Sequence, residues 1–486
     1  MVETHISVLV FVGDRVWKVR KPVRFGFLDF SDRAARLDDC RREVEVNRRL
    51  APDVYLGVAD VVLDGVAVDH MVVMRRLPGE RRLAALVHAG TGAEPCVRRL
   101  ARVLAAFHAG APRSSSIDRA ALPEALLAAW DANLAEAAPF VGSVLDPATD
   151  ATIADLSRRY LAGRGPLLVD RIARGHVCDG HGDLQAEDVF CLDDGPRVLD
   201  CIEFDDHLRH LDVAADLAFM LMDLERLGAP GLARLLRAQY EELSGAVLPG
   251  SLVHHYVAAR AYVRAKVSCL RAAQGDAGAV GTARSLHRMA ADHLRAGRVR
   301  MVLVGGLPGT GKSVLAASIG EVLDADVLCT DEVRKELAGL PVDGPAPAAF
   351  GEDLYSAERT AATYKTVLAR ARVALAMGRS VVVDASMTAA VWRERARDAA
   401  AATHSELVEL ELRADPAVAA MRIARRRRCG SSLSDATETV AAAMAAEADA
   451  WPTATVIDAS GLPERTLALA LGALDAGALA AGPGHG

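Results

Sequence analysis

Aromatic residues make up only 4% of this 486-residue chain. That scarcity argues against single-stranded nucleic acid as a general ligand, because such strands are gripped by stacking their bases on interleaved rings. The net charge of −7 points the same way, since it gives no overall field to attract phosphate backbones. Lysine is nearly missing as well: six lysines, at 18, 21, 266, 312, 335 and 365, stand among 57 basic residues. Where lysine persists in an arginine background, the site needs a compact ammonium that guanidinium cannot replace. No apolar run reaches the ~18 residues of a membrane span. The opening Met1-Val2-Glu3-Thr4-His5 lacks the basic-then-apolar layout of a signal peptide, so the expectation is a cytoplasmic protein with no membrane partner. The eight cysteines form no C-x-x-C pair and keep no spacing with histidine that suits a metal. They read as reduced, mostly buried thiols without a disulfide framework. No internal repeat appears at a spacing of ~20–50 residues.

Hydrophobic residues at 51% and charged residues at 25% give a globular balance, and the length allows two or three cored domains. Residues 1–279 open with short alternating runs, Ile6–Val12 and Val16–Val19 around Gly13-Asp14, then a helix near 32–50, then Val61–Leu63 and His70–Met74 around Asp64-Gly65. The pattern is a small antiparallel sheet with one helix, followed by a mainly helical stretch to about 275. A linker helix is expected over 280–298. From 299 to 475 apolar strands and helices alternate, the pattern of a parallel sheet covered by helices on both faces. Residues 476–486 read as a flexible tail.

The most telling segment is Met301-Val302-Leu303-Val304-Gly305-Gly306-Leu307-Pro308-Gly309-Thr310-Gly311-Lys312-Ser313. An apolar strand enters a glycine-rich turn matching G-x-x-x-x-G-K-S from Gly306, and a helix follows. Glycines let backbone N–H groups point at phosphate oxygens, and the helix N-terminus adds its dipole to the same anion site. Lys312 would reach the β- and γ-phosphates and Ser313 would hold Mg²⁺. Ser380-Val381-Val382-Val383-Asp384 supplies the second carboxylate that such a site needs for the ion. Val327-Leu328-Cys329-Thr330-Asp331 reads as a third strand tip ending in Asp331. The run Met421–Arg428 places Arg422, Arg425 and Arg426 along one helix face, suited to a lid over a transferring phosphoryl group.

In this order, residues 299–475 resemble the small-molecule kinases of the P-loop class, the α/β P-loop NTPases that include gluconate kinase-like, chloramphenicol phosphotransferase-like, zeta-toxin-like and polynucleotide 5′-kinase-like enzymes. The resemblance implies that Asp331 takes the proton of the acceptor hydroxyl, that Arg334 binds the acceptor, and that Arg422 and Arg425 are lid arginines.

A second constellation is His181-Gly182-Asp183-Leu184-Gln185-Ala186-Glu187-Asp188 with Val198-Leu199-Asp200 after it. Asp183 could accept a hydroxyl proton, while Asp188 and Asp200 could hold Mg²⁺ on nucleotide phosphates. Upstream, Lys18 on a strand and Glu43 on the next helix suit the ion pair of kinases. Residues 1–275 thus resemble the aminoglycoside phosphotransferase and choline kinase-like branch of the α+β protein-kinase fold. The resemblance extends to Asp212–Phe219, and it assigns Lys18 to phosphate, Glu43 to Lys18, Asp183 to the base and Asp200 to the metal. Lys21 is a rival for the lysine role. Gln185 and Asp188 depart from the His and Asn usual there, and the first hairpin carries only Gly13 in place of a glycine-rich loop.

The tandem resembles a bacterial, largely actinobacterial, set that fuses an aminoglycoside phosphotransferase-like domain to a P-loop kinase domain of AAA-type ATP-binding character. Its stretches here are His5-Ile6-Ser7, Lys21–Phe30 and Cys201-Ile202-Glu203-Phe204. Residues 21–30 could close over a ligand. The implied activity is ATP-dependent phosphorylation of a hydroxyl on a small metabolite, with the P-loop half the stronger catalytic candidate. The alternatives are a nucleic-acid 5′-hydroxyl kinase and a nucleotide-dependent regulator with a degenerate N-terminal lobe.

Overall fold

The computed structural model describes residues 1–3, 6–25, 28–341, 355–429 and 438–480, without the side chains of 25, 28, 426–429, 438 and 475–480. Gly26 and Phe27 of the 21–30 segment, the side chains of Arg426–Arg428 and the tail residues 481–486 therefore lie outside the described residues. The chain forms two compact units, Met1–Ser157 with Leu168–Gly297, and Arg158–Leu167 with Arg298–Gly486. Among the described residues no helix is long and apolar enough to cross a membrane.

The first unit has the protein-kinase-like α+β fold. Its five-stranded antiparallel sheet runs in the order Val2–Glu3, Ser7–Val12, Arg15–Arg20, Val66–Arg75, Tyr55–Leu63. The helix Arg33–Asn47 is started by the Asp32 side chain accepting from the Ala35 amide, the usual satisfaction of an orphan first-turn donor. It packs on the sheet through Cys40 and Val44, against Val54, Tyr55 and Val72. Beyond it the unit is helical, interrupted by the hairpin Val189–Leu192 with Gly195–Val198 and by the pair Val177–Asp179 with His210–Asp212. The helix Ala279–Ala296, expected as a linker, packs along Gly250–Ala273 inside this unit. Ala283, Leu286, Ala290 and Leu294 are buried on one face at spacings of three and four, which is why the helix docks instead of bridging.

One expectation about cysteine is corrected. Cys96, on the helix Ala93–Gly110, forms a disulfide with Cys191 on the strand Val189–Leu192. Ninety-five residues separate them in sequence while their Cα atoms are 5.6 Å apart, so the pairing arises from the helix–hairpin packing and leaves no spacing signature. Cys40, Cys178, Cys201, Cys269 and Cys329 are buried free thiols.

The second unit is an α/β P-loop fold. Its five strands are all parallel, in the order Asp326–Cys329, Val381–Asp384, Arg300–Gly306, Glu406–Arg413, Thr455–Asp458. Val302, Val304, Val382, Leu410 and Ile457 build a core with Leu315, Ala316 and Ile319 of the helix Lys312–Leu323. The chain order reverses on either side of Arg300–Gly306, so the crevice for a ligand opens at the carboxyl ends of the central strands. Two expectations are corrected here. Asp331 is no strand tip: the strand stops at Cys329, and Asp331 sits in the first turn of a helix, Thr330–Leu337. Residues 476–480, expected in the tail, continue the helix Pro463–Ala480.

Candidate functional sites

In the second unit the strand Arg300–Gly306 delivers the chain into a loop that only glycine can follow. Gly306, Gly309 and Gly311 have φ of 133°, 86° and 97°. A Cβ on Gly306 would stand 2.4 Å from the Leu412 carbonyl oxygen, and one on Gly309 would stand 2.7 Å from that of Ala419. The loop closes on itself: Thr310 Oγ1 donates to the Leu307 carbonyl at 2.8 Å, and Lys312 Nζ donates to the same oxygen at 3.0 Å. Gly311 precedes the helix Lys312–Leu323, so its first amides and positive dipole end face the loop, the standard anion cradle.

A cavity of about 1270 Å³ opens over this cradle. Pro308 to Ser313 line it together with Asp331, Arg334, Asp384, Arg422 and Arg425, so the residues singled out from sequence in this half converge on one space, with Gly306 and Leu307 forming the loop's base. Asp384 ends its strand in register with Val304. Asp331 and Arg334 come one helical turn apart, with Arg334 Nε 4.0 Å from the Asp331 carboxylate. Arg334 also donates to Thr360 Oγ1 at 3.1 Å and lies over the Tyr355 ring, so its direction is set by three residues. Arg422 is held by backbone: its guanidinium donates to the carbonyls of Thr310, Ala459 and Gly461. Arg425 is exposed at the rim.

Sequence reasoning missed the aromatic wall of this cavity. Tyr364 stacks on Trp392 with ring centres 4.9 Å apart, and its hydroxyl meets Ser386 Oγ at 3.2 Å and accepts from the Met387 amide. Their scarcity was the available signal: in a chain with so few rings, Tyr355, Tyr364 and Trp392 gathered on two neighbouring helices and a helix start mark a built surface.

In the first unit, Lys18 Nζ is 2.8 Å from Glu43 Oε1 and 3.4 Å from Asp200 Oδ1. The two carboxylates outweigh burial and hold the ammonium above its usual range. Lys21 instead pairs with Glu3 at the surface. Behind the pair lies a buried guanidinium absent from the sequence reading: Arg20 bonds Glu43 Oε2, Asp39, Ser7 and Glu203. Asp200 has φ of 63° and a carboxylate 54% exposed, and Lys18 holds it ionised below its usual value. Burial pushes Asp183 up to about 6 despite the opposing charges of Arg264 and Arg260, while Asp200 adds to the rise. Gln185 Nε2 donates to Asp183 at 2.9 Å. Burial, then the charges of Asp200 and Asp183, hold Asp188 well above an ordinary carboxylate. Asp216 anchors the loop, accepting from the amides of His181 and Gly182 and from His108 Nε2.

Among the described residues no group of three or more His, Cys, Asp or Glu is arranged to hold a metal ion. Two carboxylates crowded with the same sign, as at Asp188 and Asp200, suit a cation whose remaining ligands come with a bound phosphate.

The family model described as an AAA domain matches residues 301–450. Over 466 residues the chain is 41% identical to an uncharacterized protein of Mycobacterium tuberculosis, covering 96% of this chain and 93% of the relative. Among solved structures, a gluconokinase from Sinorhizobium meliloti 1021 aligns with 37% of this chain and 92% of its own, at 19% identity and a TM-score of 0.26. The GDP and kanamycin complex of APH(2")-IIia aligns with 60% of this chain and 91% of its own, at 17% identity and a TM-score of 0.40.

Proposed function

This chain belongs to the family of the mycobacterial protein that it matches along nearly its whole length, and from that premise we propose that it is an ATP-dependent phosphotransferase acting on a hydroxyl of a small metabolite. The observation that carries the reading is the single cavity in which the phosphate cradle, Asp331, Arg334 and Asp384 meet. A nucleoside triphosphate would lie with its phosphates on the amides of Gly309–Ser313 and on Lys312. Mg²⁺, held by Ser313 and Asp384, would neutralise charge on the phosphates. Asp331 would take the acceptor's proton, and Arg334, held by Thr360 and Tyr355, would orient the acceptor. Arg422 and Arg425 would add positive charge at the rim of the same space.

The first unit supports a second phosphotransfer site, with Lys18 held by Glu43, Asp183 as base, and Asp188 and Asp200 as the metal carboxylates. An acid pushed up to about 6 by burial is mostly ionised near neutrality, ready to accept a proton, and close enough to the ambient pH to release it again.

The test is ADP release by the full chain across a panel of sugars, aminoglycosides, nucleosides and oligonucleotides, beside Lys312→Ala and Asp183→Ala. Turnover of a small hydroxylated acceptor that Lys312→Ala abolishes is the expected result. Turnover of oligonucleotides alone would replace the reading with a 5′-hydroxyl kinase. ATP binding without turnover of any acceptor would leave a nucleotide-dependent regulator.

A further inference from the structure

The helix Gly250–Ala273 packs against the helix Val213–Arg226, and it brings two guanidinium groups to the Asp183 loop that no reading above has used. Arg260 and Arg264 stand four residues apart, hence on one helical face. Arg260 Nε donates to the Ala215 carbonyl at 3.4 Å, and its guanidinium lies over the Phe219 ring, 5.0 Å from the centroid. Asp216, the residue after Ala215, carries the amides of His181 and Gly182 on its carboxylate. Arg260 is thereby fixed beside the loop that presents Asp183, and Arg264 lies one turn further along the same face.

Both side chains are half-buried, and among the described residues neither enters a salt bridge with a carboxylate. Their charges are felt at Asp183, where Arg264 is the foremost charged neighbour. Of the two carboxylates whose charge reaches Arg260, Asp183 and Asp216, Asp216 is already engaged by His108 Nε2 and the amides of His181 and Gly182. A half-buried guanidinium without a salt-bridge partner is costly unless an anion completes it, and its planar fork matches a carboxylate or phosphate through paired hydrogen bonds. Two such forks beside the base would repel an ammonium-bearing acceptor.

We propose that the acceptor of the first unit carries an anionic group, a phosphate or a carboxylate, beside the hydroxyl that is phosphorylated, and that Arg260 and Arg264 bind that group. The proposal rests on the reading of this unit as a phosphotransferase. In the step concerned, the acceptor oxygen forms a bond to the γ-phosphorus of ATP as the bond from that phosphorus to the β,γ-bridging oxygen breaks. The electron pair leaves with ADP, and the hydroxyl proton passes to Asp183.

The experiment uses the full chain carrying Lys312→Ala, so that the second unit is silent, and follows ADP release with matched probes: ribose against ribose 5-phosphate, glucose against gluconate and glucosamine. The anionic member of a pair should have a kcat/KM at least tenfold above its neutral partner. The phosphate and carboxylate arms tell which anion is preferred. Arg264→Ala should raise KM for the anionic probe about 10- to 100-fold, the scale of a lost hydrogen bond to a charged group, with KM for ATP unchanged and partial recovery in Arg264→Lys. Equal use of neutral probes, preference for glucosamine, or a rise in KM for ATP in Arg264→Ala would each overturn the proposal while leaving phosphotransfer standing. If no probe gives ADP release that depends on Asp183, and inorganic phosphate stabilises the chain against heat no more than it does Arg264→Ala, the phosphotransfer reading and the proposal fall together.

Discussion

Replacing Gly306 by alanine tests the conformation of the phosphate loop without touching any group that contacts nucleotide. Gly306 is the last residue of its strand, paired with Leu412 on the next one, and its amide donates to the Ser386 carbonyl. The added methyl would meet the Leu412 carbonyl oxygen at 2.4 Å. That atom belongs to the backbone of a parallel sheet and has no side-chain freedom with which to withdraw. A φ of 133° costs a non-glycine residue about 1–3 kcal/mol, and overfilling a packed site costs about 1–3 kcal/mol more. The sum, roughly 2–6 kcal/mol, should lower the melting temperature of the second unit by about 4–24 °C, at about 2–4 °C per kcal/mol for a unit of this size. Gly461→Ala is the control, since its Cβ would meet only the Arg465 Cδ at 3.7 Å and its φ is not positive. Its effect should stay within about 0.5 kcal/mol. Calorimetry on the full chain resolves the two cases, with ATP titration as a second readout. A Gly306→Ala protein that melts and binds ATP like the control would refute the loop geometry described above.

Asp331→Asn should keep ATP binding by calorimetry and lose turnover by a factor of about 10²–10⁴, the range for removal of a general base. In the first unit, kcat/KM should rise as pH passes through about 6, where Asp183 loses its proton. Arg264→Ala removes a charge that favours the ionised form, so the inflection should move upward in a pH–rate profile, even though Arg260, Gln185 and the opposing Asp200 and Asp188 remain. Alkylation in denaturant should leave Cys96 and Cys191 unlabelled until a reductant is added, as peptide mass mapping would show.

The parts legible in sequence were those with a strong local pattern. The P-loop strand and its neighbour ending in Asp384 are apolar runs bounded by glycine or an acidic residue, and the sequence places both within a residue or two. The choice between Lys18 and Lys21 was legible in principle: alternation along Arg15–Arg20 puts Lys18 and Arg20 on one face, and both reach Glu43. The sequence reading does not recover the helix Thr330–Leu337, although acidic residues in its first turn and basic ones in its last complement a helix dipole. An apolar strand running straight into it masked that signal. Arg260, Arg264 and the Cys96–Cys191 bond were beyond reach because their meaning depends on elements far apart in sequence. A disulfide between a helix and a strand leaves no periodicity, and an arginine on a helix reads as solvated until the opposing loop is known.

Arg422 binds the P-loop at Thr310 and the loop after the last strand at Ala459 and Gly461 through one guanidinium. Its helix, Pro416–Cys429, cannot swing from the phosphate cradle without losing three hydrogen bonds at once, each to a carbonyl that would need another donor. Under the proposed kinase reading, the tempo of nucleotide exchange would depend on this one side chain. Arg422→Ala is then expected to speed ADP departure even where it slows the chemical step, so catalysis and turnover could respond to one substitution in opposite directions.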